Sequence, residues 1–166
     1  MQSGVGYSLL ITGLRNAHAM ECQARELLER QIERTDDYLI VKAKLKEHLI
    51  ETNVQARRLE ECLEKCGEST SVLKDAALAT MGNFAALSHA VANDEIIKNT
   101  LANNMFENFE IGTYKCLIAM ADNAGIEISD LLTRSLREEQ QMADWVSDNI
   151  EKITIDFLTI RDRQAA

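Results

Sequence analysis

Met105 to Tyr114 reads MFENFEIGTY, an apolar and aromatic stretch that nonetheless carries two glutamates, Glu107 and Glu110, one helical turn apart. On a helix the pair shares a stripe with Tyr114, Leu117, Ala121 and Ala124, because side chains three and four residues apart stack on one face. Such a stripe is what a helix normally buries. Either the acids reach water at its edge, or the core of this protein contains carboxylates, and the other helices decide between the two.

The C-terminal segment gives Leu132, Leu136, Glu139, Ala143, Val146, Ile150, Ile153, Phe157 and Ile160 as one stripe, apolar everywhere except Glu139. Near the N-terminus the series Leu10, Leu14, Ala17, Glu21, Ala24, Leu28, Ile32 again admits a single acid. The second segment runs Val41, Leu45, His48, Thr52, Gln55, Leu59, Cys62, Cys66, polar in its middle, with Glu51 three residues after His48.

Breaks are few and mark the turns: Thr35-Asp36-Asp37, Gly67 to Ser71, Asn93-Asp94, and Asn123 to Ser129 around Gly125. They predict five helical segments, near 8–34, 38–66, 72–91, 94–123 and 129–160. Short turns make antiparallel neighbours, so the first two segments and the last two form hairpins joined through the shorter middle one. The expected fold is all-α, a ferritin-like four-helix bundle with an additional short helix in the crossover, and residues 1–166 form one domain.

Glu21 and Glu51 each lie fifteen residues from Asp36, while Glu110 and Glu139 lie fifteen and fourteen from Gly125. At about 1.5 Å per residue the acids of each hairpin are therefore level, and packing the hairpins side by side gathers four carboxylates into one layer. Buried carboxylates oppose one another's ionisation and need protons, cations or a metal to offset them. The seams hold no Lys or Arg at that depth, leaving His48 and His18. A dinuclear metal centre is the economical solution, and hard oxygen ligands suit iron or manganese.

The remaining composition excludes other classes. With 18 basic and 27 acidic residues the net charge is -9, which repels nucleic acid and anionic membrane surfaces. No stretch approaches the roughly 20 apolar residues of a membrane span, and the N-terminus lacks a basic leader, so a cytoplasmic protein is expected. The four cysteines have no zinc-type spacing and read as reduced, packed thiols. The terminal RDRQAA is read as disordered.

The motifs AMECQ around Glu21, EHLIETNVQARRLE from Glu47 to Glu60, ENFEIGTY from Glu107 to Tyr114 and LLTRSLREEQQMADW ending at Trp145 resemble the ferritin-like YciE/YciF proteins of bacteria, which are associated with stress. The resemblance spans most of the chain and implies kinship with rubrerythrin-type di-iron proteins. By it, Glu21, Glu51, Glu107, Glu110 and Glu139 map onto di-iron carboxylate positions, with Glu138 the alternative on the last helix and Tyr114 beside the ligands.

The chain departs from the common di-iron pattern where Glu-x-x-His is expected, since Val54 follows Glu51 by three and Met142 follows Glu139 by three. Gln55 and Gln141 are candidate amide ligands, and His48 and His18, each three residues before a glutamate, are candidate imidazoles. Such an oxygen-rich site would hold Fe(II) less tightly and tolerate manganese, calcium or magnesium, so partial metal occupancy, down to none, is expected in the protein as isolated. Two functions follow: a di-metal protein that reacts with oxygen or peroxide, or a structural stress protein with a degenerate site. A homodimer is the expected assembly.

Overall fold

Without proline and with few glycines, this chain ends its helices mainly where glycine permits the left-handed backbone. The computed structural model describes residues 4–69 and 94–165. These contain four helices: α1, Val5–Glu33; α2, Leu39–Lys65; α3, Glu95–Ala124; and α4, Ser129–Ala165. The short helix expected at 72–91 lies outside the described residues.

Gly67 at φ 77° ends α2, its N–H donating to Glu64 O at 2.8 Å while Glu68 N–H donates to Leu63 O at 3.0 Å. Gly125 at φ 65° repeats this pattern after α3, with bonds to Asp122 O and from Ile126 N–H to Ala121 O. Both pairs satisfy carbonyls that a helix end leaves open. At the other turn the Thr35 hydroxyl donates to Gln31 O. α4 continues through Ala165, so helix replaces the disorder expected for 161–165: no glycine or proline stops it, and Arg161, Arg163, Gln164 and Ala165 are good helix formers.

α1 packs on α2 and α3, and α4 packs on α3 and α2. Leu10 and Leu14 of α1 share one cluster with Leu59, Cys62 and Leu63 from the end of α2, Leu117 and Ala121 from the end of α3, and Leu132 from the start of α4. A second cluster joins Leu28, Val41, Leu45, Ile96, Val146 and Ile153. Neighbouring helices therefore run antiparallel. α2 ends at the first cluster and α3 starts at the second, so the two hairpins are joined by a crossover, as in ferritin-like bundles.

Each fully buried Leu or Ile in these clusters contributes about 1.5–3 kcal/mol. The two apolar clusters are separated by a belt in which Glu21, His48, Gln55, Glu107, Glu110, Ser135 and Glu139 are all buried. All four cysteines are free thiols. Cys116 is exposed, whereas burial pushes the Cys62 thiol up to about 12. A thiol reagent at pH 8 is expected to label Cys116 within the native protein and Cys62 only after denaturation, which mass spectrometry of the labelled peptides would show.

Candidate metal centre

The belt is built by all four helices. α3 supplies Glu107 and Glu110, α4 supplies Glu139, and α2 supplies His48; one ligand atom from each of the four lies within 4.8 Å of the others. His48 Nε2 is 3.4 Å from a Glu107 oxygen and 3.8 Å from a Glu139 oxygen, while Nδ1 is 3.1 Å from Glu51 Oε2. A carboxylate on Nδ1 favours the tautomer whose Nε2 lone pair faces the cluster, the usual arrangement behind a metal-bound histidine.

Glu21 of α1 lies beside this group and is also buried. One of its oxygens accepts a hydrogen bond of 2.5 Å from the Tyr114 hydroxyl. The other accepts no hydrogen bond, nor do Glu107 Oε2 or either oxygen of Glu110 and Glu139, although Glu107 Oε2 and Glu139 Oε2 face His48 Nε2. A buried polar atom without a partner costs about 1–3 kcal/mol, and more when charged. Their concentration in one place is the signature of a site that takes a cation or protons.

The electrostatics agree. Burial raises Glu21 to about 8, with the Tyr114 hydrogen bond and His48 pulling the other way. Burial and the neighbouring acids hold Glu110 and Glu139 well above the usual carboxylate range. For His48 burial opposes the charge, but Glu107, Glu51 and Glu139 outweigh it and the imidazole is held well above its ordinary value. The hydrogen bond from His48 lowers Glu51. With carboxyl groups that keep protons and an imidazole that takes one, the metal-free cluster lowers its own charge.

The remaining candidates stand around this group or away from it. Glu51 stands behind His48 with its side chain 25% exposed. Glu138 is held by Arg58, whose two terminal nitrogens donate to its two oxygens at 2.5 and 2.9 Å, and it also accepts from Gln55 Nε2 at 3.1 Å. Gln55 is buried and its own oxygen has no partner. His18 pairs through Nε2 with Glu60 at 3.1 Å, away from the cluster, and Gln141 is exposed.

The seams hold no Lys or Arg at this depth, as expected, but Arg58 reaches the edge of the belt from beside the α2 seam. It also donates to Ser135 Oγ at 3.3 Å, so it ties α2 to α4 at the edge of the belt. Its position three residues after the core Gln55 was a signal, but one that placed it at a helix edge without naming a partner. Arg58→Met is expected to cost about 1–3 kcal/mol by leaving Glu138 without its counter-ion. With side chains 17% and 23% exposed, water offsets part of this, and the lower half of the range is expected in urea unfolding.

A family model described as a domain of unknown function (DUF892) matches residues 7–159. Among solved structures, a protein of Xanthomonas campestris pv. campestris superposes with a TM-score of 0.79 at 25% identity, covering 96% of this chain and 99% of that one. YcfI of Rhodopseudomonas palustris, described as a candidate structural protein, superposes at 0.69 with 25% identity over 87% of this chain and 94% of its own. The E. coli stress protein YciF shares the fold at 0.74 with 20% identity, over 92% and 98%.

Proposed function

The chain belongs to the DUF892 family, and from that premise we propose that it is a ferritin-like, stress-associated protein whose bundle core holds a di-metal carboxylate centre, with iron or manganese as the metal. The observation that carries the proposal is the set of buried carboxylate oxygens on Glu21, Glu107, Glu110 and Glu139 that accept no hydrogen bond. Hard oxygen donors with one imidazole suit these metals. When bound, the ions would supply the Lewis acidity and redox chemistry for reaction with oxygen or peroxide.

The roles of the side chains follow from their partners. Glu107, Glu110, Glu139 and His48 Nε2 would hold the ions, with Glu21 beside them as a further carboxylate donor. Glu51 fixes the orientation of His48 through Nδ1. Tyr114 holds one oxygen of Glu21 and leaves the other for the metal. Arg58 engages Glu138, which keeps that neighbouring acid out of the cluster.

We further propose a homodimer in the cytoplasm without nucleic acid or membrane partners: the net charge of -9 opposes nucleic acid and anionic membrane surfaces, and four free thiols fit a reducing compartment. A second reading is a structural stress protein whose degenerate cluster stays protonated, which the raised Glu21, Glu110 and Glu139 favour. Elemental analysis of protein purified without chelator, followed by anaerobic titration with Fe(II) and Mn(II), separates the two. About two equivalents per chain supports the di-metal centre; no uptake with either ion leaves the structural reading.

A further inference from the structure

Asn99, Asn103 and Glu107 follow one another at four-residue steps along α3, which sets their side chains in a row at intervals of about 6 Å. The row lines a cleft of about 50 Å³ between α1 and α3 that reaches His48 and Glu107 of the cluster. Asn99 also lines a recess of about 170 Å³ at the end of the bundle, so it stands where recess and cleft meet. In the recess the acids Asp37 and Glu95 balance the arginines Arg34 and Arg161, and Arg34 pairs with Glu95 at 3.2 Å.

One turn beyond Asn99, Asn103 meets Gln31 of α1, each amide nitrogen donating to the other's oxygen at 2.9 Å. Both side chains line the cleft and both residues are half-buried. While the pair is closed, each carbonyl oxygen is engaged by the opposite amide. Rotation of either side chain frees both.

Ala24, Leu28 and Phe106 also line the cleft, and apolar walls of this kind oppose the passage of an ion that has lost its water. The volume holds roughly three to five waters at about 10–15 Å³ each, so a divalent cation crosses with only part of its hydration shell. Amide oxygens are hard, uncharged donors that replace the missing waters, and they bind too weakly to retain a cation against the carboxylates beyond.

We propose that the Gln31–Asn103 pair is a gate on the path by which a divalent cation reaches the carboxylate cluster from the end of the bundle. Opened, the pair and Asn99 offer carbonyl oxygens in place of water, and Glu107 is the first carboxylate after them. The proposal rests on the metal reading of the cluster and adds to it the route and the residues that set the rate of loading.

Co(II), whose visible absorption reports binding, is the probe. In the double variant Gln31→Met, Asn103→Leu both amides give way to apolar side chains of similar size, so neither is left without its partner. This variant is expected to bind Co(II) at the wild-type stoichiometry in equilibrium dialysis but to take it up about tenfold more slowly, or slower still, in stopped-flow mixing. An uptake rate equal to that of the wild type overturns the inference and leaves the metal centre standing, since a pair that only holds α1 and α3 in register does not set this rate. A lower stoichiometry in a variant folded by circular dichroism also overturns it, because the pair would then belong to the site and not to its approach. If the double variant does not fold, Gln31→Ala is read instead: it releases Asn103 and is expected to speed uptake, and a rate no higher than the wild type's overturns the inference. A wild-type protein that binds no Co(II) removes the metal reading and the gate with it.

Discussion

Glu21→Gln is expected to stabilise the metal-free protein by about 3 kcal/mol at pH 7 and to leave it unchanged near pH 4. The folded carboxyl has its pKa raised from 4.5 to about 8 by burial. A group whose folded pKa is raised contributes its full stability below the unfolded pKa and loses it as pH rises through the folded one. Folding at pH 7 therefore draws a proton onto Glu21, at about 1.4 kcal/mol for each pH unit above 4.5. Glutamine has the same shape, accepts the Tyr114 hydroxyl through its carbonyl, and needs no proton.

In a domain of this size about 3 kcal/mol corresponds to roughly 6–12 °C of melting temperature. The comparison is made by thermal unfolding of both proteins across pH 4 to 8 in the presence of chelator. A variant less stable than the wild type at pH 7 would mean that the Glu21 carboxylate is ionised and favourably placed, against the burial argument.

The second large effect is that of the metal itself. Without metal, stability falls as pH rises from about 4.5 toward 8, because Glu21, Glu110 and Glu139 all hold protons more tightly when folded. The raised His48 acts in the same direction: its contribution is present below its unfolded value of 6.5 and is lost as pH rises through the higher folded one. Metal binding requires these carboxylates deprotonated, so affinity increases with pH and the slope reverses.

At a free concentration about 1,000 times Kd the bound ion adds roughly 4 kcal/mol. That is about 8–16 °C here. Mn(II) avoids oxidation during the scan, and Glu139→Gln, which removes a central carboxylate, is expected to abolish the shift. Identical pH slopes with and without Mn(II) would contradict the proposed ligands.

Much of this arrangement was legible in the sequence because burial follows helical period. The stripe through Leu132, Glu139, Val146 and Ile153 is buried at each of these positions, and the stripe through Glu107, Glu110, Tyr114 and Leu117 likewise. The apolar seam argued for Glu139 over Glu138 without deciding between them, and Glu139 is the buried one. Period assigns a face, however, not a partner. His18 lies on the buried side of α1 but turns to Glu60 of α2, and Arg58 reaches Glu138 of α4; both pairings depend on how helices meet. His48 could be placed beside Glu51 from spacing, while its approach to Glu107 and Glu139 needed three helices in space.

Anomalous diffraction from crystals grown with Mn(II), recorded on both sides of the manganese edge, tests the central claim most directly. Two peaks about 3.5–4 Å apart between Glu21, His48, Glu107, Glu110 and Glu139 are the predicted result. Manganese found only on surface carboxylates, with the belt empty in a crystal that contains the ion, would contradict it.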